Sequence, residues 1–164
     1  MYVALPELPN HSRVWIYQAS RAMNEEELDF VQMYLKQAVQ DWNAHGVSLL
    51  ASFEIKYKQI IMIAVDEQLH AASGCSIDAS TTWFKDLAVR LGIDFFDRSV
   101  ALAEGDHLRL LPLLGVKQAV AEGTIHPDSS IAVPQVKDLG EYRSNWPISA
   151  KNSWLSKYFV ATTI

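Results

Sequence analysis

The chain has 164 residues, 49% of them apolar and 20% charged, and a formal net charge of −5. This length fits one domain able to bury ~70% of the surface its unfolded form exposes, and the balance excludes a disordered chain, which needs low hydrophobicity with high net charge. The negative charge disfavours nucleic acid as a partner, because phosphates call for a cationic surface, and the lone cysteine, Cys75, excludes an intrachain disulfide.

The N-terminus has no cationic start, no long apolar core and no small-residue cleavage site, so it does not read as a signal peptide. Pro6 and Pro9 make the first ten residues extended. Residues 13–18 are rich in aromatic and β-branched side chains and read as a strand. Asn24 then caps a helix, with Glu27 three residues on as a capping box requires and three glutamates on the positive end of the helix dipole. Leu28, Val31, Leu35, Val39 and Trp42 form its apolar stripe; Asp29, Gln32, Lys36 and Gln40 form its wet one. Residues 51–57 alternate between Ala51, Phe53, Ile55, Tyr57 and Ser52, Glu54, Lys56, which predicts a strand with one wet face. Residues 60–65 are apolar throughout, which predicts a central strand covered on both faces. The two join in a hairpin at Lys58 and Gln59, residues poorly suited to a primed turn. That apolar run is also the longest in the chain, far short of the ~20 residues of a membrane helix, so the protein is expected to be cytoplasmic with no membrane partner.

Residues 66–75 read as a loop, followed by a helix capped by Ser76 or Asp78, buried through Phe84, Leu87, Ala88 and Leu91, and stopped by Gly92. Residues 94–98 make one turn. Residues 99–103 and 108–111 are strand-like on either side of Glu104-Gly105-Asp106. Residues 113–122 predict a third helix, 131–133 a short strand and 147–159 a last helix. The expected fold is therefore α+β: a single domain over 1–164 with a mostly antiparallel sheet, helices packed on it and a ferredoxin-like βαββαβ start.

Residues 11–18, 73–78, 94–98 and 147–154 together resemble a family of uncharacterised bacterial proteins of about this length, whose members often carry the label "ABC transporter ATPase". The resemblance implies no activity, cofactor or site residue. The label meets no motif in this chain. A transporter ATPase cradles phosphate in a Gly-x-x-x-x-Gly-Lys-Ser/Thr loop, and none of the seven glycines stands in that pattern.

Three constellations carry candidate chemistry. The first surrounds Cys75. Gly74 permits tight backbone geometry, and the amides at a helix start around Ser73, Ser76 and Asp78 suit a small anionic ligand. The same amides favour a thiolate, which makes Cys75 a candidate nucleophile with His70 as its base. The stronger reading is structural, since free cysteine is among the most buried residue types, and Cys75 is expected to be buried or inert. The second is the stretch 142–164, with Tyr142, Trp146, Trp154, Tyr158 and Phe159 beside Arg143, Lys151 and Lys157 and no acid. It is expected to fold back over the acidic body, placing Trp146 and Trp154 in the core; a subunit interface is the alternative. The third is Arg13, beside Trp15 and Tyr17 on one strand face, which suits either an anion or a cation–π contact. No histidine has zinc spacing, so neither a metal nor a cofactor is expected. The leading expectation is a non-catalytic ligand-binding or interaction domain that forms a homodimer; the alternative is a small enzyme using Cys75 and His70.

Overall fold

A strand that is apolar at every position has no wet face, and the fold supplies cover on both sides of residues 60–65. The computed structural model describes residues 1–68 and 70–159. Its elements run β1 (Arg13–Gln18), α1 (Glu25–Gln40), β2 (Asn43–Ala44), β3 (Val47–Ser48), β4 (Leu50–Lys56), β5 (Ile60–Asp66) and α2 (Gly74–Leu91). They continue with β6 (Val100–Glu104), β7 (His107–Leu111), α3 (Val116–Ala121), β8 (Ser130–Ile131), α4 (Leu139–Asn145) and β9 (Ile148–Ser149). Short 3₁₀ turns lie at Leu5–Glu7, Leu113–Gly115, Ala150–Asn152 and Trp154–Tyr158.

Helices pack with antiparallel sheets, as the α+β reading expects. The first sheet has the order β1-β5-β4, with Trp15 opposite Ile63 and Ile63 opposite Phe53. β5 is antiparallel to both neighbours, so β1 and β4 run parallel with β5 between them, the split β-α-β arrangement that the element order predicted. The fourth strand of a ferredoxin-like sheet is where the expectation fails. Among the described residues a single parallel bridge, Gln18 to Phe96, stands on β1 in place of that strand. The chain then leaves to build a second sheet, β7-β6-β8-β9.

One face of the first sheet holds Tyr17, Ala51, Phe53, Ile61, Ile63 and Val65 against Val31, Leu35 and Val39 of α1 and Phe84 and Leu87 of α2. The other face packs Val14, Met62 and Ala64 against Leu8 and against Leu139 and Tyr142 of α4. Each such aliphatic side chain stabilises the fold by about 1.5–3 kcal/mol relative to exposure, and β5 contributes six fully buried residues in a row. The face of β4 expected to be wet is therefore partly roofed: Ser52 is buried and Glu54 half-buried. The roof is α4, a helix the sequence reading did not place. Its signal is the Asp138-x-x-Glu141 spacing, realised as Asp138 Oδ1 accepting from Glu141 N at 2.9 Å.

Local signals decide where the long helices start and stop. The capping box of α1 forms in both directions: Glu27 N donates to Asn24 Oδ1 at 2.9 Å and Asn24 N to Glu27 Oε1 at 3.0 Å. Arg21 reaches both Glu27 oxygens at 2.9 and 2.8 Å, and these bonds, with that from Asn24, hold the carboxyl down at about 2. α2 starts earlier than expected. Its cap is Ser73, whose Oγ accepts from Ser76 N at 3.1 Å, and neither Ser76 nor Asp78 caps it. Gly92, with φ of +65°, ends it.

The C-terminal expectations fare less well. Residues 113–122 divide into a 3₁₀ turn and the six residues of α3. Residues 147–159 hold β9 and two 3₁₀ turns in place of a helix. Backbone bonds to a distant segment of the same chain override helix propensity there: Ala150 N donates to Ser129 O and Lys151 N to Pro127 O. Val100, Leu102, Val116, Ile125, Ile131 and Leu155 make the small core of the second sheet. Trp146 packs against both this cluster and the far face of the first sheet.

Candidate functional site

Two of the concave regions bear on a candidate site, and one of them was legible in the sequence. The first lies at the start of α2. Ser73, Cys75 and Ser76 line a groove of about 320 Å³ together with Asp41, Trp42, Asn43, His45 and Trp83. The serines are engaged in structure. Ser73 Oγ caps the helix and lies 2.8 Å from Ser76 Oγ, which donates to Asn43 O at 2.7 Å. Trp42 Nε1 donates to Ser76 O at 2.9 Å, so the groove floor is bolted to the end of α1.

Cys75 is exposed, contrary to the expectation of a buried thiol. It occupies the first turn of α2, where its side chain projects outward while that of Ser76 turns in. The backbone N–H groups of Gly74 and Cys75 have no intrahelical acceptor, as at any helix start. His70 does not line this groove, and its Nε2 is sealed from solvent with no hydrogen-bond partner among the described residues. The imidazole that shares the groove is His45. It sits with Gly46 at the tip of the β2–β3 hairpin, both residues at positive φ (+52° and +82°) as a type I′ turn requires. That hairpin joins strands of two residues, too short to leave a pattern. Asp78 is exposed on α2 and does not line the groove. Arg13 is elsewhere: its guanidinium stands 4.7 Å from the Trp15 ring centroid and 3.9 Å from Glu67. The cation–π alternative for Arg13 is thus the geometry observed. Trp15 and Tyr17 are core residues, with Tyr17 stacked on Phe84 at 3.9 Å.

The second region is larger. A cleft of about 870 Å³ opens between the β4–β5 turn and α4, lined by Glu54, Lys56, Tyr57, Tyr142, Arg143 and Trp146, among others. The turn that carries Tyr57 is itself unusual. Tyr57 and Lys58 both have positive φ, +57° and +56°, a conformation that costs non-glycine residues energy. The segment that precedes α1 holds it there. Ala19 N donates to Gln59 O at 2.8 Å, Met23 N to Lys58 O at 2.8 Å, and Gln59 Nε2 to Ala19 O at 2.9 Å. The central pair of the turn is therefore Tyr57 and Lys58, one residue earlier than expected.

On the opposite wall Tyr142 stacks on Trp146 at 4.9 Å and 27°, while the Tyr57 ring lies 6.2 Å from Trp146 at 56°. The Tyr142 hydroxyl donates to Glu54 Oε1 at 2.7 Å, and Lys56 Nζ stands 3.6 Å from the same oxygen. Burial, then the bond to Glu54, push the Tyr142 hydroxyl well above its ordinary range, so it remains a donor. Arg143 is anchored by Nη1 to Asn10 Oδ1 and by Nη2 to Leu5 O, both at 2.8 Å. The cleft thus combines the oriented carboxylate of Glu54, the exposed carboxylate of Asp106, two cations and an aromatic corner. The aromatic, basic stretch 142–164 was legible as a composition; that its Tyr142 and Trp146 face Glu54 and Tyr57 was not, because those partners are more than 80 residues away.

The remainder of that stretch divides. Trp146 is half-buried, while Trp154 is 39% exposed and lies beside Lys157 and Tyr158, so it does not enter the core as expected. Residues 160–164 of the stretch lie outside the described residues. No cluster of three metal-ligating side chains occurs among the described residues, and no helix among them is long and apolar enough to cross a membrane. Compared with protein-family models, with curated proteins and with solved structures, the chain matches none.

Proposed function

We propose that this chain is a non-catalytic ligand-binding domain whose site is the cleft between the β4–β5 turn and α4. The observation that carries the reading is the cleft itself: about 870 Å³, with the Trp146–Tyr57 aromatic corner set beside the hydrogen-bonded Glu54 carboxylate. Small-molecule sites are concave, largely apolar and furnished with a few oriented polar groups. The positive-φ turn adds support, since strained backbone held by several tertiary bonds concentrates at ligand sites. The exposed, unpaired Cys75 suits a reducing compartment, and we place the domain in the cytosol on that ground. The test is an NMR screen of small soluble molecules drawn from amines, carboxylates, phosphates and neutral heterocycles. Saturable shifts grouped around Tyr57, Tyr142 and Trp146 are the expected result. Shifts confined to the groove at Cys75, or none from any class, overturn the reading.

A second reading is favoured by the exposure of Cys75 in a groove that also holds His45 and Asp41. It is a small thiol enzyme with Cys75 as nucleophile and His45, in place of His70, as the nearby imidazole. Alkylation by iodoacetamide at neutral pH, much faster for Cys75 than for free cysteine, is the result this reading requires. A rate at or below that of the free thiol sinks it.

A further inference from the structure

We infer that the cleft recognises an organic ammonium ion, with its charge on Glu54 and its alkyl groups against the faces of Trp146 and Tyr57; this rests on the cleft being the ligand site. Arg143 spends one N–H of Nη1 on Asn10 Oδ1 and one of Nη2 on Leu5 O, both at 2.8 Å, which ties the N-terminal segment to α4 and leaves three of its five N–H groups without a hydrogen bond among the described residues. Tyr142 spends its hydroxyl proton on Glu54 Oε1. Lys56 faces that same oxygen at 3.6 Å, longer than a hydrogen bond, from a side chain that is half exposed. Exposed pairs of this kind contribute little and exchange readily. Glu54 Oε2 has no hydrogen-bond partner among the described residues. What the cleft offers a cation is therefore the Glu54 Oε2 acceptor, with the Asp106 carboxylate on the same lining, beside the Trp146 and Tyr57 rings.

Those two features select the same ligand. A cation over an aromatic face is attracted by the ring quadrupole, and quaternary or primary ammonium groups are the ions small enough to meet a carboxylate and two rings together. Lys56 already marks the position: it is an ammonium group of the protein itself, loosely held by Glu54, that an incoming amine would displace. An anion meets the opposite situation. It would meet the remaining N–H groups of Arg143 only in company with the Glu54 and Asp106 carboxylates that line the same cleft. The chain's net charge of −5 also draws cations in preference to anions. The sign of this ligand is the reverse of the one expected at the helix start around Ser73 to Asp78.

The experiment compares choline with its neutral carbon isostere, in which carbon replaces the nitrogen, following the Trp146 indole resonance of the full chain, assigned with Trp146→Phe. Choline is expected to shift it saturably and to bind about tenfold more tightly than the isostere, the difference being the charge alone. Glu54→Gln is expected to remove that preference while leaving the isostere unchanged. Lys56→Met, which removes the internal competitor, is expected to tighten choline binding several-fold, an effect that a purely structural role for Lys56 would not produce. Equal binding of the two probes, or shifts from carboxylates and phosphates only, overturns the ammonium inference and leaves the cleft as a ligand site. Silence of the cleft resonances toward every class of molecule overturns both.

Discussion

The first sheet is made of strands of six and seven residues, covered on one face by α1 and α2 and on the other by α4 and the N-terminal segment. The second is made of two strands of five residues and two of two, packed on a core of nine buried residues against twenty-four on the two faces of the first. Around the second lie Phe96, Leu113 and Trp154, exposed apolar side chains that line one groove of about 520 Å³, with the fully exposed Leu114 beside them. The contrast teaches where specification resides. In the first region helical and strand periodicity, caps and burial agree, so each local choice supports the global one. In the second, conformation is set by bonds between distant segments, such as those from Ala150 and Lys151 to Ser129 and Pro127.

The comparison can be broken most directly by truncating one core residue from each region. Phe84→Ala removes a ring stacked on Tyr17 and packed against Phe95, in a site closed on all sides. It is expected to cost about 3–5 kcal/mol in urea unfolding. Leu155→Ala, equally buried, is expected to cost only about 2–3 kcal/mol, because short strands and 3₁₀ turns can close on the space, and the cost of a cavity depends on how well the site collapses. A Leu155→Ala cost equal to that of Phe84→Ala would mean that the second sheet is as rigid as the first. Hydrogen exchange sharpens the same point: amides of β5 should exchange last, and those of β8 and β9 well before them.

A smaller effect tests the entry to α1. The folded Glu27 carboxyl, at about 2, lies below its ordinary value, so the unfolded chain binds more protons in the acid range and stability falls as pH drops from about 5 to 2. Glu27→Gln should lower stability at neutral pH and flatten that acid limb of the urea midpoint against pH. An unchanged acid limb would show that the Arg21 contact adds nothing in solution. The smallest effect belongs to the groove. Cys75→Ser, at an exposed position with no structural bond, should change stability by less than about 0.5 kcal/mol. A larger loss would move Cys75 from the surface into the packing of α2.

How much of this was legible follows the same division. The capping box at Asn24 and Glu27, the apolar stripe of α1, the all-buried residues 60–65 and the stop at Gly92 are each written in a few neighbouring residues, and each is realised. The start of α2 was misplaced because Ser73, Ser76 and Asp78 are all acceptable caps, and the choice turned on Ser76 Oγ reaching Asn43 O. The groove partner of Cys75 was misread as His70 for a related reason. Five residues of separation on paper says little once a helix begins between them, while His45 arrives from a hairpin thirty residues away.

The sequence alone determined the α+β class, the capped start of α1 and the stop of α2 at Gly92, because periodicity and caps act over one or two turns of chain. Tertiary structure alone decided that α4 roofs the far face of β4, that a strained turn carries Tyr57 toward Trp146, and that Glu54 Oε2 has no hydrogen-bond partner among the described residues. The physical reason is range. Hydrogen bonds and ring contacts between residues about 90 positions apart leave no local period, and they exist only once packing has brought the segments together.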